Sequence, residues 1–157
     1  MSSELYAWIA DSRLSDWVNS AAYIWPTLES IHFVSLCVLF GSLLIIDLRL
    51  IGFFRDACAA TVGHLSGLAI AAFSVNLVTG LLFFAGNTSK YVGNPAFEIK
   101  LILITAAGVN ALFYRLFLRR LAATQDVSTS SVCVGAVSLG LWAGVIVCGR
   151  MITFYAP

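Results

Sequence analysis

Charged residues are scarce in this chain, and their scarcity excludes most soluble and nucleic-acid-binding classes of protein. Only 11% of the 157 residues are Asp, Glu, Lys or Arg, and the net charge is +1. A soluble domain carries roughly a quarter charged residues, and a nucleic-acid-binding domain carries a basic face. Apolar residues reach 60%, and the mean hydropathy is +0.92. The composition therefore indicates an integral membrane protein and predicts no nucleic-acid partner.

Metal-binding patterns are also scarce. The four cysteines show no Cys-x-x-Cys spacing, so we expect small buried thiols instead of a metal cluster. Two methionines and two histidines leave few soft ligands for copper. No phosphate-binding loop or nucleophile triad is present. Any chemistry must therefore come from single ionisable side chains within the membrane.

Long apolar stretches define the fold class. Four of them approach the ~20 residues needed to cross a bilayer, namely 26–50, 61–85, 97–118 and 131–154. They predict an all-α membrane protein, a single four-transmembrane-helix bundle over residues 1–157. Residues 1–22 lack the basic-then-apolar order of a signal peptide, and Trp8, Ile9, Trp17 and Val18 recur at roughly helical spacing. We expect an amphipathic interfacial helix there.

The basic residues of the flanks predict an orientation. The ends of the first and third spans and the loops that follow them hold five basic residues, Arg49, Arg55, Arg115, Arg119 and Arg120, and the flanks on the opposite side hold Arg13 and Lys90. Positive charge favours the cytoplasmic side. Both termini are therefore expected outside the cytoplasm.

His32 is the most informative residue of the chain. It lies inside the first span, three residues after Glu29 and about two turns, or ~9–10 Å, from the start of that helix. Ionisable groups in hydrocarbon are costly and usually serve a ligand, an ion path or a proton step. Glu98 and Lys100 open the third span and Arg150 ends the fourth, so all five residues share one level. This convergence from three helices is the strongest functional signal of the sequence.

His64 belongs to the other end of the bundle. Its position at the start of the second span puts it ~20 Å or more from His32 along the helix axis. One iron therefore cannot take both histidines as ligands. Single ligation by His32 leaves the sixth position open or supplied by a partner.

The face of the first span that carries His32 is expected to turn toward the bundle. Its members recur at three- and four-residue steps: Leu28, His32, Ser35, Leu39, Ser42 and Ile46. Gly41 beside this face and Gly80 on the second span give clearance for another helix or a flat ligand. Gly140 and Gly144 suit close helix contact, which also favours a closed homo-oligomer, a dimer or a trimer. Asn76 and Asn110 are expected to hydrogen-bond between helices, and Asp47 to pair across the bundle or reach the headgroups.

Several short motifs together resemble a bacterial family of four-helix inner-membrane proteins of unknown function, a resemblance that implies a four-helix fold and an inner-membrane location. With the orientation indicated by the basic residues, both termini are expected in the periplasm. The motifs are Trp25-Pro26-Thr27, Glu29, His32, Gly41-Ser42, Asp47-Leu48-Arg49-Leu50, Thr79-Gly80-Leu81-Leu82-Phe83, Asn94-Pro95-Ala96-Phe97, Lys100, Asn110-Ala111, Trp142 and Gly149-Arg150-Met151-Ile152.

A more distant similarity concerns chemistry. A histidine early in helix one, a Thr-Gly in helix two and a lysine opening helix three are similar to the haem-b membrane protoporphyrinogen oxidases and to copper-resistance membrane domains. In the haem-containing group the histidine ligates iron and the lysine is functional. His32 and Lys100 occupy those two positions, so the resemblance implies haem b on His32 and an oxidoreductase activity.

A haem site built from these residues would use each of them differently. His32 is the expected iron ligand, oriented by Glu29 or by a serine such as Ser35. Lys100 and Arg150 are expected to pair with the propionates, and Lys100 and Glu29 are the candidate catalytic residues. Phe33, Phe83, Phe84 and Trp142 are expected to line the ring, and Gly41 and Gly80 to give it clearance.

Three functions remain open from the sequence. The first is a small b-type haem protein that transfers electrons or oxidises a quinone or porphyrin at the outer face. The second is a proton-coupled transporter or channel subunit that uses Glu29, His32, Lys100 and Arg150. The third is a non-catalytic assembly subunit of a membrane complex, in which His32 is merely satisfied by Glu29 or by a backbone carbonyl.

Overall fold

The computed structural model describes residues 2–53, 59–118 and 129–155, and these residues are almost entirely helical. A π-helical turn, Tyr114–Leu118, continues α6. The described helices, in chain order, are α1 (Ser2–Ala10), α2 (Arg13–Asn19), α3 (Ile24–Ile51), α4 (Ala59–Gly86), α5 (Thr88–Tyr91), α6 (Pro95–Phe113) and α7 (Thr129–Met151).

Four of these helices, α3, α4, α6 and α7, are long and apolar enough to cross a membrane. The prediction of an all-α bundle with four transmembrane helices is therefore confirmed. We call the end of the bundle where α3 begins and α7 ends the terminus end, and the opposite end the loop end. Arg55, Arg119, Arg120 and Cys58, which entered the sequence argument, lie outside the described residues.

Local signals set the helix boundaries. Gly52 ends α3 in the left-handed region, with φ of 108°, and its N–H donates to the carbonyls of Leu48 and Arg49. Glycine reaches this conformation without a Cβ penalty. At the start of α6 the Asn94 side chain accepts from the N–H groups of Ala96 and Phe97, and Pro95 fills the first turn.

The bundle is held together through α3 and α7. Helix α3 packs on α4 and on α7, and α7 packs on α6, whereas α4 and α6 are not closely packed on each other. The expected bundle-facing side of α3 is found, because its members other than His32 are buried and His32 is half-buried. A small apolar core occupies the middle of the bundle: Leu39, Ala69, Ala72, Ala107, Trp142 and Val145.

The closest approach to a neighbouring backbone at a described glycine lies at Gly135, where α7 meets α3. A Cβ added at Gly135 would stand 2.8 Å from the Asp47 carbonyl oxygen, so only glycine allows this approach. At Gly144 the nearest atom would be a methyl of Leu103 at 3.0 Å, and at Gly140 nothing lies within 4 Å. The sequence drew attention to Gly140 and Gly144, but the tightest backbone contact uses a different glycine.

The N-terminal helices are anchored at the terminus end. Val18 of α2 is 1% exposed, and a Cβ added at Gly86 of α4 would lie 2.6 Å from it. Asn19 donates its side-chain N–H to the Gly86 carbonyl at 2.9 Å. Trp8 and Trp17 remain exposed, as suits a segment whose aromatic rings lie at the membrane interface.

The two mid-helix amides behave differently. Asn110 on α6 donates to the Val134 carbonyl of α7 at 3.2 Å, an interhelical bond as expected. Asn76 donates to Ala72 of its own helix, so the expected bond between helices is not formed. Its side-chain oxygen is buried with no partner among the described residues.

Candidate functional site

His32 is held by a hydrogen bond between helices. Its Nδ1 lies 2.6 Å from the Thr79 hydroxyl of α4, and that hydroxyl also lies 2.8 Å from the Val75 carbonyl oxygen. A hydroxyl has one proton to donate, and a carbonyl oxygen can only accept. Both contacts are satisfied at once when Thr79 donates to the backbone carbonyl and accepts from Nδ1–H, and we adopt this tautomer. This assignment leaves the Nε2 lone pair free to bind a metal or a proton.

Thr79 is the orienting residue that the sequence analysis missed. We expected Glu29 or a serine to hold the imidazole. Glu29 is exposed and accepts the Trp25 indole N–H at 3.0 Å, and Ser35 donates its hydroxyl to the His32 carbonyl at 3.0 Å. Neither side chain orients the ring. The Thr79-Gly80 pair was visible in the sequence, but its pairing with His32 depends on the register between α3 and α4.

Aromatic rings complete the surroundings of His32. The ring of Phe83, one turn after Thr79, approaches the imidazole edge-on with a centroid distance of 5.4 Å. The ring of Trp25 packs on Phe83, and the centroids of these two rings are also 5.4 Å apart. Edge-to-face contacts of this kind contribute beyond simple apolar burial. They fix the imidazole plane in addition to the hydrogen bond.

Lys100 is the second polar residue at this level. It is half-buried on α6 and close enough for its positive charge to act on His32. Its Nζ would be 3.6 Å from a Cβ added at Gly149, an ordinary van der Waals contact, so the lysine side chain lies beside Gly149 of α7. Within the described part of the chain, Lys100 forms no ion pair with a carboxylate. A positive charge without a counter-ion in an apolar setting favours an anionic ligand.

The other predicted residues lie apart from this pair. Arg150 is exposed near the end of α7, and Glu98 is exposed at the start of α6. Trp142 belongs to the apolar core and meets Phe73 edge-on at 6.3 Å. A Cβ added at Gly41 or at Gly80 would meet no atom within 4 Å, so both positions leave open space beside their helices.

An aromatic cluster joins α4 and α6 at the terminus end. Phe84 of α4 stacks on Phe97 of α6 with centroids 5.8 Å apart, and the ring of Tyr91 packs against both. Burial raises the pKa of Tyr91 to about 12, and the negative charge of Glu29 adds to the effect. These rings are the described aromatic contact between two helices that are otherwise not closely packed on each other.

The remaining histidine and the cysteines do not join the site. His64 is exposed at the loop end, far from His32 as expected. Cys37 and Cys133 are free and exposed on the helix surfaces, so the expectation of buried thiols was wrong for both. Cys148 is half-buried and close enough to Lys100 for an electrostatic interaction.

Comparison of the chain with protein-family models, curated proteins and solved structures finds no match. The family resemblances noted in the sequence therefore remain expectations.

Proposed function

We propose that this protein is a small b-type haem protein of the membrane in which Nε2 of His32 is an axial ligand of the iron. The observation that carries the proposal is the hydrogen bond from Nδ1 to Thr79. Histidines that bind metals usually donate their other ring N–H to a fixed acceptor, which sets the tautomer and the ring orientation. Thr79 supplies that acceptor from a neighbouring helix.

The residues around His32 fit the rest of a haem. Lys100 offers an unpaired positive charge for one propionate, and the exposed Arg150 offers a second at the same end of the bundle. Phe83 supplies an apolar wall beside the imidazole. Bound haem supplies reversible one-electron chemistry. Trp142 and Ser35, which are engaged in the core and with the backbone, are not assigned to the haem.

The proposed activity is electron transfer, or oxidation of a small substrate such as a quinone or a porphyrin, at the terminus end. His32 lies about two turns from that end, so a partner reaches the site from there. We place the protein in the bacterial inner membrane with periplasmic termini, because the sequence has five basic residues at or just beyond the loop-end limits of the spans and two, Arg13 and Lys90, in the opposite flanks. Reporter enzymes fused to the C-terminus test this orientation. Activity of a reporter that works only in the cytoplasm would show the opposite orientation.

A homo-oligomer is proposed for the same protein. An open groove of about 790 Å³ runs along the outer surfaces of α6 and α7, and it offers a surface on which a second copy or lipid can pack. Light scattering of the detergent-solubilised protein, corrected for bound detergent, distinguishes a monomer from a dimer or trimer.

A second candidate function is proton-coupled transport of an anion. It is favoured by the electrostatic interaction between His32 and Lys100 in the absence of a paired carboxylate within the described residues. Protonation of His32 would add a second positive charge within electrostatic range of Lys100. An anion bound between them would relieve this repulsion, so proton uptake and anion binding would be coupled.

The visible spectrum of the pure protein tests the haem proposal. The protein is expressed with haem supplied, purified in mild detergent, and measured oxidised and then reduced with dithionite. We expect a Soret band and sharpened α and β bands on reduction. His32→Ala loses them, and His64→Ala retains them, because His64 is an exposed histidine of the opposite end.

Two results would contradict the proposal. One is a colourless wild-type protein, and the other is equal haem content in the His32 and His64 variants. A colourless protein whose reconstituted vesicles take up protons with an anion, in a manner lost in His32→Ala, would support the second candidate.

A further inference from the structure

A buried acid lies at the loop end, away from His32. Asp47 of α3 is 4% exposed, and it lies where α3 crosses α7 at Gly135. The Ser138 side chain of α7 hydrogen-bonds the carboxyl group. The second carboxyl oxygen, Oδ2, is buried and has no hydrogen-bond partner among the described residues. Asp47 was expected to pair across the bundle or to reach the headgroups. It pairs across the bundle, and its partner is the Ser138 hydroxyl, not a basic side chain.

Among the residues that the structure describes, no charged or titratable group near Asp47 neutralises it. Arg49 is two residues further along α3, so the two side chains point in different directions. His64 on α4, Arg115 in the turn after α6 and Cys133 on α7 are all exposed. Within the described parts of the chain none of them forms an ion pair with the Asp47 carboxyl. An ionised, unpaired carboxylate in such a place would cost several kcal/mol.

We propose that Asp47 is a proton-binding site in the loop-end half of the bundle, where the carboxyl is carried as the neutral acid and Ser138 fixes its orientation. Protonation removes the buried charge without a basic partner. This site is separate from the haem proposal, and it stands or fails independently of it.

A proton fits this place better than a metal ion does. Calcium takes six or more oxygen ligands at roughly 2.3–2.6 Å, and magnesium requires an octahedral shell of ligands. Among the described residues, the carboxyl and the Ser138 hydroxyl are the side-chain oxygen groups shown to meet here. The close contact at Gly135, where an added Cβ would lie 2.8 Å from the Asp47 carbonyl oxygen, leaves little room for further ligands or water.

Infrared spectroscopy of the full-length protein in detergent tests the proposal directly. A neutral carboxyl gives a C=O stretching band that is distinct from the carboxylate bands and shifts in heavy water. We expect this band at neutral pH in the wild type and its loss in Asp47→Asn. Ser138→Ala should keep the band but shift its frequency, because one hydrogen bond to the carboxyl is lost. Asp16→Asn, at an exposed position of α2, should leave the band unchanged.

Chemical labelling then locates the proton. Dicyclohexylcarbodiimide reacts with protonated carboxyl groups in apolar surroundings, and peptide mass spectrometry identifies the modified residue. Labelling of Asp47, and not of the exposed Glu98, is the expected result.

Two results would overturn the proposal. One is a wild-type spectrum at neutral pH that contains only carboxylate bands, and the other is protection from labelling by sodium or calcium ions, which would make a metal ion the ligand. If Asp47→Asn fails to fold, the band must still disappear in the wild type as the pH is raised.

Discussion

Replacement of Thr79 by valine tests the contact on which the candidate site depends. Valine keeps the branched shape of threonine and removes only the hydroxyl that accepts from Nδ1 of His32 at 2.6 Å. The imidazole N–H then has no acceptor in a half-buried, apolar place. Leaving a buried donor unsatisfied costs about 1–3 kcal/mol, and loss of a residue that orients a metal ligand lowers metal affinity roughly 10–100-fold.

Thr105→Val is the matched control for this change. Thr105 is an exposed threonine of α6 whose hydroxyl donates to the Leu101 carbonyl of its own helix at 2.9 Å. Thr79 makes the same kind of bond to Val75, at 2.8 Å. The two variants therefore share the loss of a bond within a helix, and they differ in the bond to His32 and in burial, because Thr79 is 4% exposed. Thermal unfolding without haem and haem titration of the folded protein measure the two expected effects.

The outcomes separate the structural from the functional part of the reasoning. If Thr79→Val is as stable as Thr105→Val and binds haem equally well, Thr79 does not orient His32 and the tautomer argument is refuted. If Thr79→Val loses stability but binds haem as well as Thr105→Val, the hydrogen bond stabilises the fold, and His32 is not the iron ligand in the proposed arrangement.

Two further predictions concern packing and pH. Gly135→Ala should lower the free energy of unfolding by about 1–3 kcal/mol, because the new methyl group would collide with the Asp47 backbone. Gly140→Ala is the control and should be neutral or slightly stabilising, because no atom lies within 4 Å of the added Cβ. Equal melting temperatures of the two variants would contradict the prediction. Tyr91 has its folded pKa raised from 10.0 to about 12, so its contribution to stability is complete below pH 10 and is lost as the pH rises through 12. Wild type should therefore lose stability over this range faster than Tyr91→Phe, and parallel unfolding curves would show that Tyr91 is not the group responsible.

The transmembrane helices could be predicted because hydrocarbon imposes a simple requirement on sequence. Each span must be apolar over about 20 residues, and charged flanks mark its limits. The bundle-facing side of α3 was equally accessible. Small and polar residues such as Ser35 and Ser42 at helical spacing are costly against lipid, so they turn toward other helices.

The partners of individual side chains could not be predicted in the same way. Glu29 was expected to orient His32 because the two residues lie about one turn apart. Trp25 lies one turn before Glu29, and its indole N–H donates to the Glu29 carboxylate. The bond to Thr79 depends on the register of two helices, and helical periodicity does not encode that register. The same reason explains why the glycine of closest approach was Gly135 and not Gly140.

The apolar core keeps the two polar sites of this molecule apart. His32 and Asp47 lie fifteen residues apart on α3, which corresponds to ~22 Å along the helix. Leu39 and Trp142 pack between them in the middle of the bundle. The serines on either side of Leu39 donate their hydroxyls to carbonyls of α3 itself, so they do not form a hydrogen-bonded chain across the core. A proton bound at Asp47 therefore exchanges with the loop end, and a ligand at His32 exchanges with the terminus end. Coupling the two sites would require the core to open, which is why a change at Asp47 should leave the spectrum of a haem at His32 unaltered.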